Sequence, residues 1–366
     1  MYRRMFTHSL VVTAVIALAK LHNAHAATIF QQVNLTSDVL GMAANFDPNL
    51  KNPWGMSFTV NSPFWVSNQM TNTSTLYSAT GVPNSLVVTT PSGPTGQVAN
   101  GTTDFQVGPG QPALFIFASL SGTVSGWNPA VQATNAVVGF TATDGAVYTG
   151  LAQGSVGGIN FLFAADNLNG KIDVLNGSFQ KVSPSGSFTD PNVPAGFTPY
   201  NIQNVEGRLY VTYSARGGGA GGFVGVFDLN GNLLQHISDP HLNAPWGITI
   251  APGTFGDFGN ALLIGNEGDG TINGFDPSTG VFLGTISSAS GPIVNDRLWA
   301  INFRAPGSGF NPNALYFNAG INNEQNGLFG TITPVPEPAT VWTGALTLVG
   351  LGFACWVRRR KLRIEV

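Results

Sequence analysis

Asp166-Asn167 and Asn266-Glu267, with Asp269 two residues beyond Glu267, put side-chain oxygens in clusters at the ends of β-rich runs, "FLFAADNLNG" and "LLIGNEGDG". Asn68, Asn322, Asn323 and Glu324 occupy comparable places. Oxygen donors gathered from several such loops could hold Ca²⁺, a hard cation that takes six to eight of them. The plainer reading is that Asn and Asp form turns by bonding to their own backbone. Spacing alone leaves both open, so Asp166, Asn167, Asn266, Glu267 and Asp269 are candidate calcium ligands, and no cofactor is certain. Between residues 27 and 334 the only histidines are His236 and His241, and the single cysteine, Cys355, lies outside that span. A nucleophile relayed by histidine would therefore need one of those two. Trp54, Trp246 and Trp299 recur at the starts of similar runs, where they could stack on sugar rings or pack as core.

Such residues meet only if the chain curls back on itself, and its repeats say how. Six similar stretches begin at Phe64, Phe115, Phe161, Leu209, Leu262 and Leu315, separated by 51, 46, 48, 53 and 53 residues. Each is a short strand, a turn that usually contains glycine and a second short strand. A period near 50 built from strands is the spacing of propeller blades. An upstream strand is legible at "PWGMSFTV", "TGLAQG", "PYNIQNV", "PWGITIAPG" and "LWAINF", with "TDFQV" from Thr103 the best candidate in the second unit. Fourth strands follow most units, but the sixth ends without one. "TIFQQVNLT", residues 28–36, is a strand without a unit, so it completes the last blade and closes the ring. The expected fold is all-β, a six-bladed β-propeller closed by an N-terminal strand over residues 27–334. A β-solenoid or tandem sandwiches would not leave a final strand missing. On a propeller the candidate oxygens share the face around the central channel.

The ends of the chain serve transport. Arg3 and Arg4, the apolar stretch Ser9 to Ala19 and "NAHA" at 23–26 read as a cleaved signal peptide, residues 1–26. That stretch is too short to span a bilayer. At the other end, Pro336, Glu337 and Pro338 precede an uncharged apolar segment, Ala339 to Val357, long enough for one transmembrane helix. Arg358, Arg359 and Arg360 follow and hold that end in the cytoplasm. A plain single-pass anchor would explain the helix and arginines but not the Pro-Glu-Pro.

Residues 335–363 resemble the PEP-CTERM sorting signal of Gram-negative bacteria. The resemblance implies an inner-membrane-anchored precursor that exosortase, a membrane protease-transpeptidase, processes for the cell surface or extracellular polymer matrix. "NPWG", "STLYSATG", "GTVSGWNP", "NGKIDVLNG" and "GDGTINGFDPSTG" make the body similar to a family of uncharacterised bacterial propeller proteins, which brings no catalytic residues to carry over. Six-bladed lactonases and phosphotriesterases use a channel calcium. A calcium-dependent hydrolase is therefore the alternative to a surface module that binds extracellular polysaccharide or other surface components. Residues 27–334 carry seven cations against sixteen anions, a net charge of −9, which disfavours nucleic acid as a partner.

Overall fold

The computed structural model describes residues 27–216, 219–306 and 309–335. The signal peptide, the Pro-Glu-Pro motif, the apolar tail segment and the arginine cluster lie outside the described residues. No helix among the described residues is long and apolar enough to cross a membrane.

Six sheets follow one another along Ile29–Val335: five are four-stranded and antiparallel with their strands running outward in chain order, and the last has five strands, its outer ones being Phe30–Ser37 and the short Asn45–Phe46 parallel to it. The innermost strands are Pro53–Ser57, Pro94–Ala99, Tyr148–Val156, Phe197–Val205, Pro245–Ile250 and Leu298–Asn302 in blades 1 to 6. The second strands, such as Phe64–Asn68 and Leu262–Asn266, are buried along their whole length. They therefore read as continuous apolar runs rather than alternating ones. Outermost strands such as Pro83–Thr89 are largely exposed. Six separate apolar clusters fill the six seams between neighbouring blades.

The last blade is closed as its missing strand requires. Phe30–Ser37 runs antiparallel to Leu328–Pro334, with Phe30 opposite Pro334 and Ser37 opposite Leu328. Side chains lock the seam: Ser37 Oγ donates to Gly327 O at 2.7 Å and Thr36 Oγ1 donates to Gly81 O at 2.5 Å.

Blade 2 departs from expectation. Its innermost strand is Pro94–Ala99, not the stretch from Thr103. "TDFQV" instead enters a small hairpin, Gln106–Gly108 against Gln111–Pro112, in the long connection to the second strand. Phe105 is apolar because it fills the seam against Phe179, their rings 5.5 Å apart, not because it lies in a blade.

Innermost strands approach one another too closely for ordinary side chains. A Cβ on Gly55 would lie 2.3 Å from Thr95 O, and one on Gly96 2.3 Å from Leu151 N. On Gly247 it would lie 2.5 Å from Trp299 O. Glycine at these positions lets the strands converge on a narrow channel.

Candidate binding site at the central channel

One backbone bond recurs in all six blades. The residue just after each second strand donates its N–H to the carbonyl of the residue just before the innermost strand. The pairs are Gln69 to Asn52, Leu120 to Gly93, Asn167 to Val147, Arg216 to Gly196, Glu267 to Ala244 and Gly320 to Arg297, at 2.8–3.1 Å. In five blades the acceptor residue has positive φ: Asn52 (45°), Gly93 (68°), Gly196 (98°), Ala244 (44°) and Arg297 (51°). Such backbone is costly for non-glycine residues and persists only where its surroundings enforce it. The result is a ring of aligned loop positions around one mouth of the channel.

The second residue of five innermost strands, and the fourth of Phe197–Val205, form the next level down: Trp54, Thr95, Thr149, Tyr200, Trp246 and Trp299. The four aromatics meet across the channel. Trp54 stacks on Trp299 at 3.7 Å between ring centres, while Trp246 stands edge-on to both at 6.3 and 5.9 Å. Tyr200 contacts Trp54 and Trp299 from the far side at 6.2 and 6.0 Å. Trp246 Nε1 reaches across to donate to Thr149 O at 3.1 Å. With Trp299 0%, Trp246 3% and Trp54 6% exposed, these rings plug the channel. The recurring tryptophans therefore act as packing, and Tyr200 joins them because "PYN" is this blade's version of "PWG".

Above the plug lies a charged rim. Trp299 Nε1 donates to Asn52 Oδ1 at 2.9 Å, and Asn52 Nδ2 donates to Glu324 Oε2 and Gln69 Oε1, both at 3.0 Å. Arg297 donates through Nη1 to Glu267 Oε1 and lies 3.9 Å from Glu324. Burial pushes the Glu267 carboxyl above its ordinary pKa, opposed by Arg297. The Tyr200 phenol is driven well up, first by burial and then by the charges of Glu267 and Glu324. Glu324 is presented by three consecutive positive-φ residues, Asn322 (56°), Asn323 (53°) and Glu324 (68°). This left-handed turn is closed by Glu324 N donating to Gly320 O at 2.8 Å. Single asparagines visit that region readily, but a run of three ending in glutamate is strained.

The five candidate calcium ligands fall on two blades. Asp166 and Asn167 belong to blade 3, and Asn266, Glu267 and Asp269 to blade 5. Most of their polar atoms are engaged in turns and seams. Asn167 Nδ2 donates to Thr198 Oγ1 and Pro199 O, both at 3.0 Å, and Asp269 Oδ1 accepts from Thr271 N and Oγ1. Asn266 Nδ2 donates to His241 O at 2.7 Å, though its Oδ1 is buried without a partner. Among the described residues, Asp144, Asp166 and Asp173 are the one set of three His, Cys, Asp or Glu side chains whose ligand atoms lie within 4.8 Å of one another. Two ammonium groups already lie against them. Lys171 Nζ is 2.5 Å from Asp144, 3.4 Å from Asp173 and 3.7 Å from Asp166, and Lys181 Nζ is 2.7 Å from Asp173. Two of its three charges are already balanced, so that donor set fits calcium poorly. Both described histidines are also held away from the channel: His241 stacks on Phe282 at 3.8 Å, and His236 bonds Asp190 at 2.7 Å.

Below the plug, the C-terminal halves of the innermost strands surround a cavity of about 250 Å³. Trp246 forms part of its wall at the plug, and Ser57, Gln97, Gln153, Asn201, Gln203, Asn204 and Asn302 supply its polar side chains. Nothing in the residue pattern marks it, since these amides are scattered over four strands.

A family model described as the PEP-CTERM protein-sorting motif matches residues 334–361, so the chain carries the signal for export and surface sorting. Among solved structures, virginiamycin B lyase from Staphylococcus aureus is 14% identical with a TM-score of 0.52, covering 84% of this chain and all of that one. An auxiliary nutrient binding protein from Bacteroides ovatus is 8% identical with a TM-score of 0.54, covering 85% and 78%. At these identities the likeness is one of fold alone. The uncharacterized protein L690 of Acanthamoeba polyphaga mimivirus is 30% identical over 323 residues, covering 80% of this chain and 82% of its own. The uncharacterized protein R648 of the same virus is 32% identical over 340 residues, covering 84% of this chain and 81% of its own. The chain belongs to the same protein family as R648 and L690.

Proposed function

We propose that this chain is a binding module that exosortase processes and that works at the cell surface or in the extracellular matrix of a Gram-negative bacterium. The observation that carries the reading is the junction between fold and signal. The closing seam continues to Val335, whose N–H bonds Ile29 O at 2.9 Å, and the sorting match begins at residue 334. A finished propeller thus runs directly into the sorting signal, as a cargo domain would. The aromatic plug supports binding over through-channel chemistry, because it separates the charged rim from the cavity beneath. The nutrient-binding protein of similar fold is consistent with such a role without establishing it.

Fractionation of the producing cells tests the reading. The full chain should be found with the surface or polymer fraction, and a chain lacking residues 336–366 should appear in periplasm or medium. Equal retention of the truncated chain would overturn it. A thermal melt of the full-length chain tests the hydrolase alternative. Calcium at 100 times its dissociation constant would stabilise a folded-state site by about 2.7 kcal/mol over EDTA. We expect no shift, given the lysines against Asp144, Asp166 and Asp173, and a clear shift would move the reading to a calcium-dependent enzyme.

A further inference from the structure

The cavity below the plug differs chemically from the rim above it. None of the residues around it is ionisable. A charged ligand would find no counter-charge on this wall, which is unfavourable. Several polar groups there nevertheless lack partners. Ser57 Oγ is buried and makes no hydrogen bond. Asn201, 2% exposed, donates through Nδ2 to Trp246 O at 2.7 Å, while its Oδ1 accepts nothing among the described residues. The Gln203 and Asn302 amides, half-buried on the same wall, make no side-chain hydrogen bonds among the described residues. Every innermost strand pairs on its outer side only, so six strand edges also turn backbone groups toward the channel.

We propose that this cavity binds a single ring of a neutral saccharide, a deepening that rests on the surface-module reading above. A hydroxyl donates and accepts at one atom, so a ring of hydroxyls matches a wall of amides that offer both functions. Half-buried Phe58 on the wall provides an aromatic face for the ring's C–H surface, while Trp246, 3% exposed, only closes the end. The volume of about 250 Å³ falls below the roughly 300–1,000 Å³ typical of drug-sized ligands, which suits one ring rather than a chain. Because the polar groups sit on strands fixed by six seams, the site is organised before the ligand arrives.

Isothermal titration of the full-length chain in detergent with methyl glucoside, methyl galactoside and methyl mannoside tests this, with galacturonate and glucosamine as charged counterparts. At least one neutral glycoside should bind, with both charged sugars weaker by about tenfold or more, since a charge would find no counter-charge there. Gln203→Leu and Asn302→Leu should each weaken the neutral probe by about tenfold without lowering the melting temperature, because each leaves sugar hydroxyls unpaired. Asn302→Asp keeps the side-chain shape and should raise glucosamine relative to the neutral probe. Absence of neutral binding, equal binding of charged sugars, or indifference to all three variants overturns the inference. A chain that binds no glycoside but still reaches the surface overturns this inference alone. One that binds glycosides but is never exported overturns the surface reading alone.

Discussion

Arg304 is 2% exposed and has no carboxylate partner among the described residues. Its Nη2 donates to Thr59, Val60 and Ser62 carbonyls at 3.2, 3.0 and 2.9 Å, pinning the turn between the first two strands of blade 1. The guanidinium lies 4.2 Å from the centre of the Phe58 ring and 3.9 Å from that of Phe310, so aromatic faces replace the missing counter-ion. Burial lowers its pKa. Arg304→Ala should lower the stability of the full-length chain by about 2–4 kcal/mol in urea denaturation, from lost charged hydrogen bonds and cation–π contact. Arg304→Lys should recover little, because a compact ammonium cannot stack flat and bond three carbonyls at once. Asp144 makes a different kind of test. Its hydrogen bond to Lys171 holds its carboxyl down at about 2. The folded value lies below the unfolded one, so its contribution is full above about pH 4 and is lost as pH falls toward 2. Asp144→Asn should flatten that part of the acid-unfolding curve, followed by tryptophan fluorescence. An unchanged curve would mean that the lysines find other partners.

Strands were legible wherever a residue's own chemistry dictated its place. The buried second strands and their glycine turns showed as a period near 50, and the unpaired N-terminal strand pointed to closure. Pro94–Ala99 stayed hidden because nothing local marks it: Thr95 stands where other blades have an aromatic, and Gly96 matters only through Leu151 in the next blade. The rim was half legible for the same reason. Asp166, Asn266 and Glu267 announce strand ends, whereas Asn52, Arg297 and Tyr200 gain meaning only from the ring that aligns them. The left-handed turn at 322–324 read as a set of oxygen donors, since its two asparagines suit that backbone but equally suit an ordinary turn, and Glu324 does not mark it. Gly96→Ala should cost about 1–3 kcal/mol as overpacking against a neighbouring strand. Gly101→Ala, with open space around it, should stay within about 0.5 kcal/mol. Equal denaturation midpoints for the two variants would contradict the close convergence of the inner strands.

At the scale of the molecule the plug joins rings from blades 1, 4, 5 and 6, so damage there should be felt beyond a single seam. Trp299→Ala should cost about 3–5 kcal/mol by removing a large buried ring and leaving a void. It also removes the donor that holds Asn52 and loosens the rim above. A melt of the full-length chain checks the first effect. A small change would mean that Trp54, Trp246 and Tyr200 collapse into the space.

The closing seam also determines how the molecule answers a pull. Leu328–Pro334 is not an edge strand: it lies between Phe30–Ser37 on one side and Leu315–Ala319 on the other. Tension entering from residues beyond Val335 runs along that strand. It loads both ladders of hydrogen bonds in shear, all together, instead of peeling them apart one by one. A terminal edge strand would unzip under the same tug. By giving its first strand the outer position and its last strand the sheltered one, the chain puts its strongest grip where any tether at its C-terminal end would draw.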